Sequence, residues 1–308
     1  MSNRINLSKD FDVVSEVLET LRFKGTIFFK SELAAPWGMY LDTTSYPRFH
    51  IAIKGGFVLG MKNTDNLISI KEMEVLMLPL GDAHWIADKP GRNLISSEEA
   101  GKACELGKPF FQIGEITTHL LCGMIQYDEQ AAHPLLSSFS DIIHIPHNEI
   151  SPAVWQLVKL IESEISSEVA KRSALVDRLT EALFLKLLQE KVLHNKESEG
   201  FIAALNDRRL SVALQILHEH LQQNWTLQEL ADEVGMSRAT LVRHFRETVG
   251  LAPMEYLTHW RLTKALSYIK YTSYKLERIA EMIGFSSAQS LSKAFKKKYN
   301  ASPMSVRK

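Results

Sequence analysis

Apolar residues in the last third of the chain recur at helical spacing, and the pattern occurs twice. Leu227, Leu230 and Ala231 stand at i, i+3 and i+4, which places them on one face of a helix. The second copy presents the same face 49 residues later, as Leu276, Ile279, Ala280 and Ile283. Both copies continue with a glycine, a phenylalanine and a proline, in the order Gly235, Phe245, Pro253 and Gly284, Phe295, Pro303. Self-similarity of this detail indicates that one structural unit is built twice.

Each copy predicts two helices joined by a sharp turn. Thr226 and Glu229 have the spacing of a capping box, so a helix is expected to begin at Leu227. Gly235 permits the positive φ of a tight turn, and Ser237 is a suitable N-cap for the second helix. The sequence therefore predicts helix-turn-helix units at about 227–248 and 276–299, linked by one helix over 253–270.

The N-terminal half has a different pattern. Residues 25–127 contain short runs of β-branched and aromatic residues broken by turns, which predicts a β-sandwich or barrel. Helical spacing returns over about 152–194, and the second of these helices has a broad apolar stripe that must be buried. We expect Asp88–Gln112 to be a long loop over the barrel mouth, either a lid or disordered.

The predicted architecture is a chain of two domains. The N-terminal domain, residues 1–195, is a β barrel or sandwich followed by helices. A polar linker is expected over 196–206, and an all-α domain over 207–308. A length of 308 residues suits two cores of ordinary size.

Composition narrows the class of protein. Apolar residues make up 45% of the chain and charged residues 23%, as in a soluble globular protein. No apolar run has the length of a membrane helix, and Met1–Asp12 lacks the apolar core of a secretory signal. Cys104 and Cys122 are the two cysteines, which gives no disulfide framework. We therefore expect a cytoplasmic protein with no membrane partner.

The net charge of zero hides an asymmetry between the halves. Residues 201–308 contain 16 Lys+Arg against 9 Asp+Glu, so residues 1–200 contain 20 against 27. A balance of +7 in the C-terminal part favours a polyanionic partner there. Charge runs are also common on ordinary solvated surfaces, so this asymmetry is only supporting information.

The second helix of each unit presents a polar face that suits the DNA major groove. In the first copy, Arg243 has the geometry to address guanine, and Ala239 and Val242 can contact a thymine methyl. Arg238 and Arg246 are predicted phosphate contacts. In the second copy the outward residues are Gln289, Ser292 and Lys293, followed by the phosphate candidates Lys296, Lys297 and Lys298. A solvated helix face is the alternative for any one of these residues.

Residues 207–305 resemble the DNA-binding domain of the AraC/XylS family of bacterial transcription regulators. The resemblance rests on WTLQELADEVGMSRATLVRHFRETVGLAPMEYLTHWRLTKA and LERIAEMIGFSSAQSLSKAFKKKYNASP. It implies base reading by Ala239, Val242, Arg243, Ala288, Gln289, Ser292 and Lys293. It also implies double-stranded DNA and the transcription machinery as partners, and a homodimer through residues 172–194.

The N-terminal half resembles the cupin-type effector domain of one branch of that family. PLGDAH at 79–84 is similar to the second cupin motif, and FHIAIKGG at 49–56 to a reduced first motif. The first motif retains His50 but lacks its usual companion histidine and glutamate. The resemblance implies that this domain binds a small-molecule effector.

Two hypotheses concern the interior of the barrel. His50, His84 and Cys122 form a candidate zinc or ligand site, since imidazole and thiolate suit zinc; the alternative is two hydrogen-bonded histidines beside a core cysteine. Trp37, Phe49, His50, His84 and Trp85 are candidate effector-binding residues, although aromatic residues in a sandwich are usually core. No cofactor is required by either interpretation.

The leading prediction is a sequence-specific, effector-controlled transcription regulator that is not an enzyme. One alternative is a DNA-binding regulator whose cupin domain serves only as a dimerisation scaffold. A cupin enzyme with a helical accessory domain is the other, but the chain lacks a convincing set of acid, base and nucleophile.

Overall fold

The computed structural model describes residues 11–61, 66–105, 111, 113–131, 133–138, 142–166, 174–194 and 199–307. The chain forms two compact units, and neither is one continuous stretch. The β unit comprises residues 23–127 and 139–195. The helical unit comprises residues 1–22, 128–138 and 196–308. The helical unit thus includes two segments, residues 1–22 and 128–138, that the sequence assigns to the N-terminal domain. Both segments pack on C-terminal helices.

Ten strands are assigned within the described residues. They are β1 (Lys24–Ala34), β2 (Gly38–Leu41), β3 (Arg48–Lys54), β4 (Phe57–Met61), β5 (Leu67–Ile70), β6 (Val75–Leu78), β7 (His84–Ala87), β8 (Ile95–Ser96), β9 (Ile116–Gln126) and β10 (Ile143–Ile145). Twelve helices accompany them: α1 (Val13–Thr20), α2 (Ser97–Glu105), α3 (Pro134–Ser137), α4 (Pro152–Ser166), α5 (Ala174–His194), α6 (Gly200–Asn206), α7 (Leu210–Glu219), α8 (Leu227–Glu233), α9 (Arg238–Val249), α10 (Pro253–Tyr271), α11 (Leu276–Met282) and α12 (Ala288–Tyr299).

Two five-stranded sheets form the β unit and confirm the predicted β architecture. One sheet has the order β1-β9-β3-β6-β10 and the other β5-β4-β7-β2-β8. Their inner faces share one core, to which alternate residues of each strand contribute. The buried members of this core include Leu33, Ala52, Leu76, Leu120 and Cys122 from the first sheet, and Met39, Phe57, Leu59, Ile70 and Ile86 from the second.

The long loop predicted over Asp88–Gln112 is wrong in its central part. Strand β8 pairs in parallel with β2, and α2 follows it directly. Ser96 and Glu99 exchange hydrogen bonds at the start of this helix, in the manner of a capping box. Residues 106–110 and 112 lie outside the described residues.

The apolar stripe of α5 is largely buried within the β unit. The helix packs against β1 and α4. Leu183, Leu187 and Leu188 are at most 1% exposed, whereas Leu175 at the first turn is 47% exposed. Residues 172 and 173 of the predicted dimer segment lie outside the described residues. A homodimer through this helix stays a prediction, since the stripe already has partners in its own chain.

The helical unit contains both predicted helix-turn-helix units, α8–α9 and α11–α12. The capping box of Thr226 and Glu229 is present, and Ser237 caps α9. Gly250 ends α9 in the left-handed conformation, and Asn300 does the same for α12. Local chemistry therefore sets these helix bounds, and the N-terminal caps are those that the sequence predicts.

The predicted linker, residues 196–206, contains α6. Phe201, Ile202 and Ala204 are buried at 3% exposure or less, and Ser138 accepts a hydrogen bond from the Phe201 amide. Residues 196–198 lie outside the described residues. The linker was predicted from the polar residues up to Gly200, whereas the apolar run Phe201–Leu205 was the signal for this helix. Among the described residues, every helix is too short or too polar to span a bilayer.

The two turn glycines of the helix-turn-helix units, Gly235 and Gly284, differ in the space around them. Gly235 has φ +65° and Gly284 has φ +76°. A Cβ at Gly235 would meet nothing within 4 Å, whereas one at Gly284 would lie 2.6 Å from the Gln222 carbonyl oxygen and 2.6 Å from the Arg261 guanidinium. We expect Gly235→Ala to cost about 1–2 kcal/mol through left-handed backbone strain alone. Gly284→Ala should cost about 1–3 kcal/mol more because of overpacking.

Hydrogen exchange of buried amides in α10 and α11 of the full chain measures both changes. Gly250→Ala, which also meets nothing within 4 Å, is the matched control for Gly235→Ala. Equal destabilisation at all three positions would contradict the role of the Gln222 carbonyl.

Candidate functional site

The outward face of α9 lines a surface concavity of about 830 Å³. Its residues are Leu227, Ser237, Arg238, Ala239, Val242, Arg243, Arg246 and Glu247. Leu241 and Phe245, four residues apart, have no exposed surface and anchor the opposite face of the helix. The structure thus brings together all five residues that the sequence selects on the first recognition helix.

These five residues differ in how far their side chains are exposed to solvent. Arg238, Ala239, Arg243 and Arg246 are exposed, while Val242 is half-buried. The three guanidinium groups therefore reach solvent from a rigid, capped helix, which suits contacts to a polyanion. Val242 can offer only an apolar edge.

The second recognition helix, α12, presents a smaller polar face. Leu291 and Phe295 are fully buried and orient it, and Ser287 caps its first turn through the Ser290 amide. Gln289 and Lys293 are exposed, and Ala288 and Ser292 are half-buried. Gln289 and Lys293 are therefore the residues of this helix with the reach to touch a base edge.

Lys298 differs from its two neighbours in the basic run. Lys296 and Lys297 are exposed, but Lys298 donates hydrogen bonds to the His259 carbonyl and the Thr263 hydroxyl of α10 at 3.0 and 3.1 Å. Burial lowers the pKa of Lys298 to about 8. Lys298 lies three residues after the buried Phe295 and hence on the same face, so the structure contradicts its selection as a phosphate contact.

In the β unit, His50, Cys122 and His84 form a buried chain of contacts. His50 Nδ1 lies 3.0 Å from Cys122 Sγ, and His50 Nε2 lies 2.9 Å from His84 Nε2. Strand pairing places His50 opposite Cys122, and His84 comes from the facing sheet. Neither histidine has any exposed surface. The structure therefore brings together the three side chains that the sequence singles out.

The hydrogen bonds of this chain fix its protons. His84 Nδ1 lies 2.7 Å from the Asp82 carbonyl oxygen, which can only accept, so Nδ1 carries the proton. In a neutral ring His84 Nε2 then accepts from His50 Nε2–H, and His50 Nδ1 accepts from the Cys122 thiol. Burial lowers the pKa of His84 to about 4, lowers that of His50 well below its usual value, and raises that of the Cys122 thiol. Neutral rings and an intact thiol agree with the direction of these bonds.

The arrangement does not fit one zinc ion held by all three side chains. Cys122 and His84 contact opposite nitrogens of the His50 ring, and a single ion cannot bond to both nitrogens. Within the described residues no group of three His, Cys, Asp or Glu side chains is placed to hold a metal. Zinc at these residues stays a prediction from the sequence.

Two of the predicted effector residues do not face the interior. Strand residues alternate between faces, so Phe49 and Trp85 point away from the side that His50 and His84 share. Phe49 covers Gly123, and the Trp85 indole covers Gly60, in each case where a Cβ would come within 2.3 Å. Both were selected as aromatic residues of the barrel, and the selection is wrong because strand alternation places each on the opposite side from its neighbouring histidine.

Trp37 belongs to the inner core and has an unusual polar atom. Its side chain is 1% exposed, and its indole Nε1 has no hydrogen-bond partner within the described residues. A buried donor without an acceptor is costly, typically by 1–3 kcal/mol. The sequence places Trp37 in the barrel but gives no signal that its N–H is unpaired.

Comparisons with known proteins agree with the division of the chain into a β part and a helical part. The cupin family model matches residues 12–192, and a helix-turn-helix domain model matches residues 230–308. An HTH-type transcriptional regulator of Haemophilus influenzae is 26% identical, with 96% of this chain and 98% of that protein covered. The HTH-type transcriptional regulator AlkR of Acinetobacter baylyi is 25% identical, with 96% and 99% covered.

A solved structure also matches the helical part. The C-terminal domain of the response regulator yesN from Fusobacterium nucleatum is 26% identical and fully covered by 33% of this chain, with a TM-score of 0.32.

The cupin match spans more than half of the chain, and the curated relatives align along almost all of it. This chain therefore belongs to the AraC/XylS family of DNA-binding transcription regulators, with an N-terminal cupin domain and a C-terminal helix-turn-helix domain.

Proposed function

We propose that this regulator reads its operator with α9 and α12, and that a small molecule held in the cupin domain changes its affinity for DNA. The observation that carries the first part is the pair of capped helices whose buried residues, Leu241 with Phe245 and Leu291 with Phe295, leave a polar face outward on each. Homodimerisation, contact with the transcription machinery and the absence of enzymatic activity stay predictions.

The two recognition helices have different chemistry. Arg243 can form two hydrogen bonds with guanine O6 and N7, the commonest specific contact in the major groove. Gln289 can pair with adenine N6 and N7 in the same manner. Arg238, Arg246, Lys296 and Lys297 supply charge for phosphates. We assign most of the sequence specificity to α9, because α12 places half-buried Ala288 and Ser292 beside Gln289 and Lys293.

The case for an effector rests on polar groups inside the cupin core. The Trp37 N–H has no partner among the residues that the structure describes, and the Cys122–His50–His84 chain crosses between the two sheets. A ligand acceptor at Trp37 would satisfy a buried donor, and a ligand that binds one conformation better shifts the population toward it. The scaffold alternative is supported by a core to which both sheets contribute apolar side chains that are at most 4% exposed.

Arg243→Ala tests the specific contact. It should weaken binding to the cognate duplex by about 1–3 kcal/mol and relax base preference at one position, whereas Lys297→Ala should weaken all duplexes by a smaller, uniform amount. Titration of selected and scrambled duplexes measures both. Lys159→Ala, which removes an exposed charge from the β unit, is the control. Equal losses on both duplexes for Arg243→Ala would overturn its role as a base reader.

The salt dependence of DNA binding tests the phosphate contacts. Each neutralised phosphate contributes about −0.9 to the slope of log K against log salt, because counterions are released. The double variant Lys296→Ala, Lys297→Ala should reduce the magnitude of the slope by about 2. An unchanged slope would mean that neither ammonium group contacts a phosphate.

Trp37→Phe tests control by an effector. A reporter gene under the operator is compared across growth conditions for the wild type, Trp37→Phe and the outward control Trp85→Phe. We expect the wild-type output to depend on conditions and Trp37→Phe to change that dependence, because Trp37 is a member of the inner core and Trp85 lies on the outer face of its sheet. An output that stays constant in all conditions would favour the scaffold alternative.

A further inference from the structure

A chain of four polar side chains runs through the core of the helical unit. His133 Nε2 lies 3.0 Å from the Tyr256 hydroxyl, which lies 2.5 Å from His218 Nε2. His218 Nδ1 then lies 2.6 Å from Glu16 Oε2. The chain therefore joins the residue that caps α3, helices α7 and α10, and the N-terminal helix α1.

The end groups fix the direction of every hydrogen bond. The Leu135 amide donates to His133 Nδ1 at 3.0 Å, so a neutral His133 donates from Nε2 to the Tyr256 oxygen. The Glu16 carboxylate accepts from His218 Nδ1–H, so His218 Nε2 accepts the Tyr256 proton. Burial lowers the pKa of both histidines and raises that of Tyr256, which agrees with neutral groups. Each member is thus satisfied only when all four are in place.

Two largely buried ion pairs and a ring contact join the same segments to α10. Lys264 lies 2.8 Å from Glu16 Oε1, and Lys270 lies 2.7 Å from Asp128 Oδ2. Arg22 stacks over the Tyr271 ring, 4.9 Å from its centroid. Polar contacts from residues 16, 22 and 128 therefore all reach α10, the helix that connects the two helix-turn-helix units.

Residues 11–22 and 128–138, the two segments that contain Glu16 and His133, come from the cupin part of the sequence. The cupin match begins at residue 12 and includes residues 128–138. Lys24 at the start of β1 pairs with Gln126 at the end of β9. Residues 11–22 and 128–138 are thus the continuations of two neighbouring strands, although both pack within the helical unit.

The packing of these segments leaves the outward faces of α9 and α12, the candidate DNA-binding surface, exposed to solvent. Their most extensive contacts within the helical unit are with α6, α7 and α10. Arg238, Arg243, Gln289 and Lys293 remain exposed. The segments therefore support the helix between the two recognition units and do not cover the surface that would bind DNA.

We propose that residues 11–22 and 128–138 form a docking element that completes the DNA-binding domain, and that the Glu16–His218–Tyr256–His133 chain holds this element on α7 and α10. Its displacement removes the support of α10 and weakens DNA binding that uses both recognition helices. Under the effector control proposed above, a change at β1 and β9 would reach the DNA-binding helices by this route.

Glu16→Gln and Tyr256→Phe in the full chain test the docking element. Both keep the shape of the side chain, but the first leaves Lys264 unpaired and the second leaves two buried histidine nitrogens unpaired. Hydrogen exchange in α1 and in residues 133–138 should become about tenfold faster, the effect of losing one buried hydrogen bond. Affinity for a duplex selected from a random pool by the wild-type chain should fall about tenfold.

Matched controls make the same chemical changes outside the chain of hydrogen bonds. Glu19→Gln lies on the exposed face of α1, and Tyr274→Phe alters a tyrosine that is 46% exposed. Both should leave exchange and affinity unchanged. Asp128→Asn breaks an ion pair outside the chain of hydrogen bonds and should show the same loss in smaller measure, so the proposal stays testable if Tyr256→Phe does not fold.

Three results would overturn the proposal. Unchanged exchange would show that the hydrogen-bond chain does not hold the element, and unchanged affinity despite faster exchange would show that DNA binding does not need it. Tighter DNA binding would make the element an inhibitor. None of these measurements includes an effector, so the failure of effector control would be seen separately in the reporter assay.

Discussion

The helical unit depends on the burial of α10. Nine of its residues are buried, and they lie on more than one side of the helix: Pro253, Tyr256, Leu257, Trp260, Leu262, Thr263, Ala265, Leu266 and Ile269. A helix that is apolar on most sides must be surrounded by other elements. Helices α9, α11 and α12 cover part of it, and α1 covers another part. The positions of both recognition helices therefore follow from how α10 is enclosed.

Both units bury polar side chains inside a core and pair them through chains of hydrogen bonds. An unpaired polar atom away from water costs several kcal/mol, so buried histidines need partners with fixed donors and acceptors. The cupin chain runs from the Cys122 thiol to the Asp82 carbonyl, and the helical chain from His133 to the Glu16 carboxylate. Each chain joins segments that are far apart in sequence, and each constrains where those segments can lie.

Local signals predicted the helix-turn-helix units because capping and periodicity act within a few residues. Thr226, Glu229, Ser237 and Gly250 set helix ends through contacts that span at most four positions. Predictions from the sequence were wrong where they depended on the face of a sheet to which a side chain points. Phe49 and Trp85 were selected as aromatic residues of the barrel, yet strand alternation places each on the opposite side from the histidine beside it.

The sequence by itself determined the two-domain plan, the repeated helix pair and the exposed arginines of α9, because these follow from short-range spacing. Only the tertiary structure decided that Lys298 turns inward, that α1 belongs to the DNA-binding unit, and that Glu16 reaches His218. These facts depend on contacts between residues separated by up to 202 positions. No periodicity encodes such contacts, since they arise when apolar surfaces are buried together and the polar groups among them must pair.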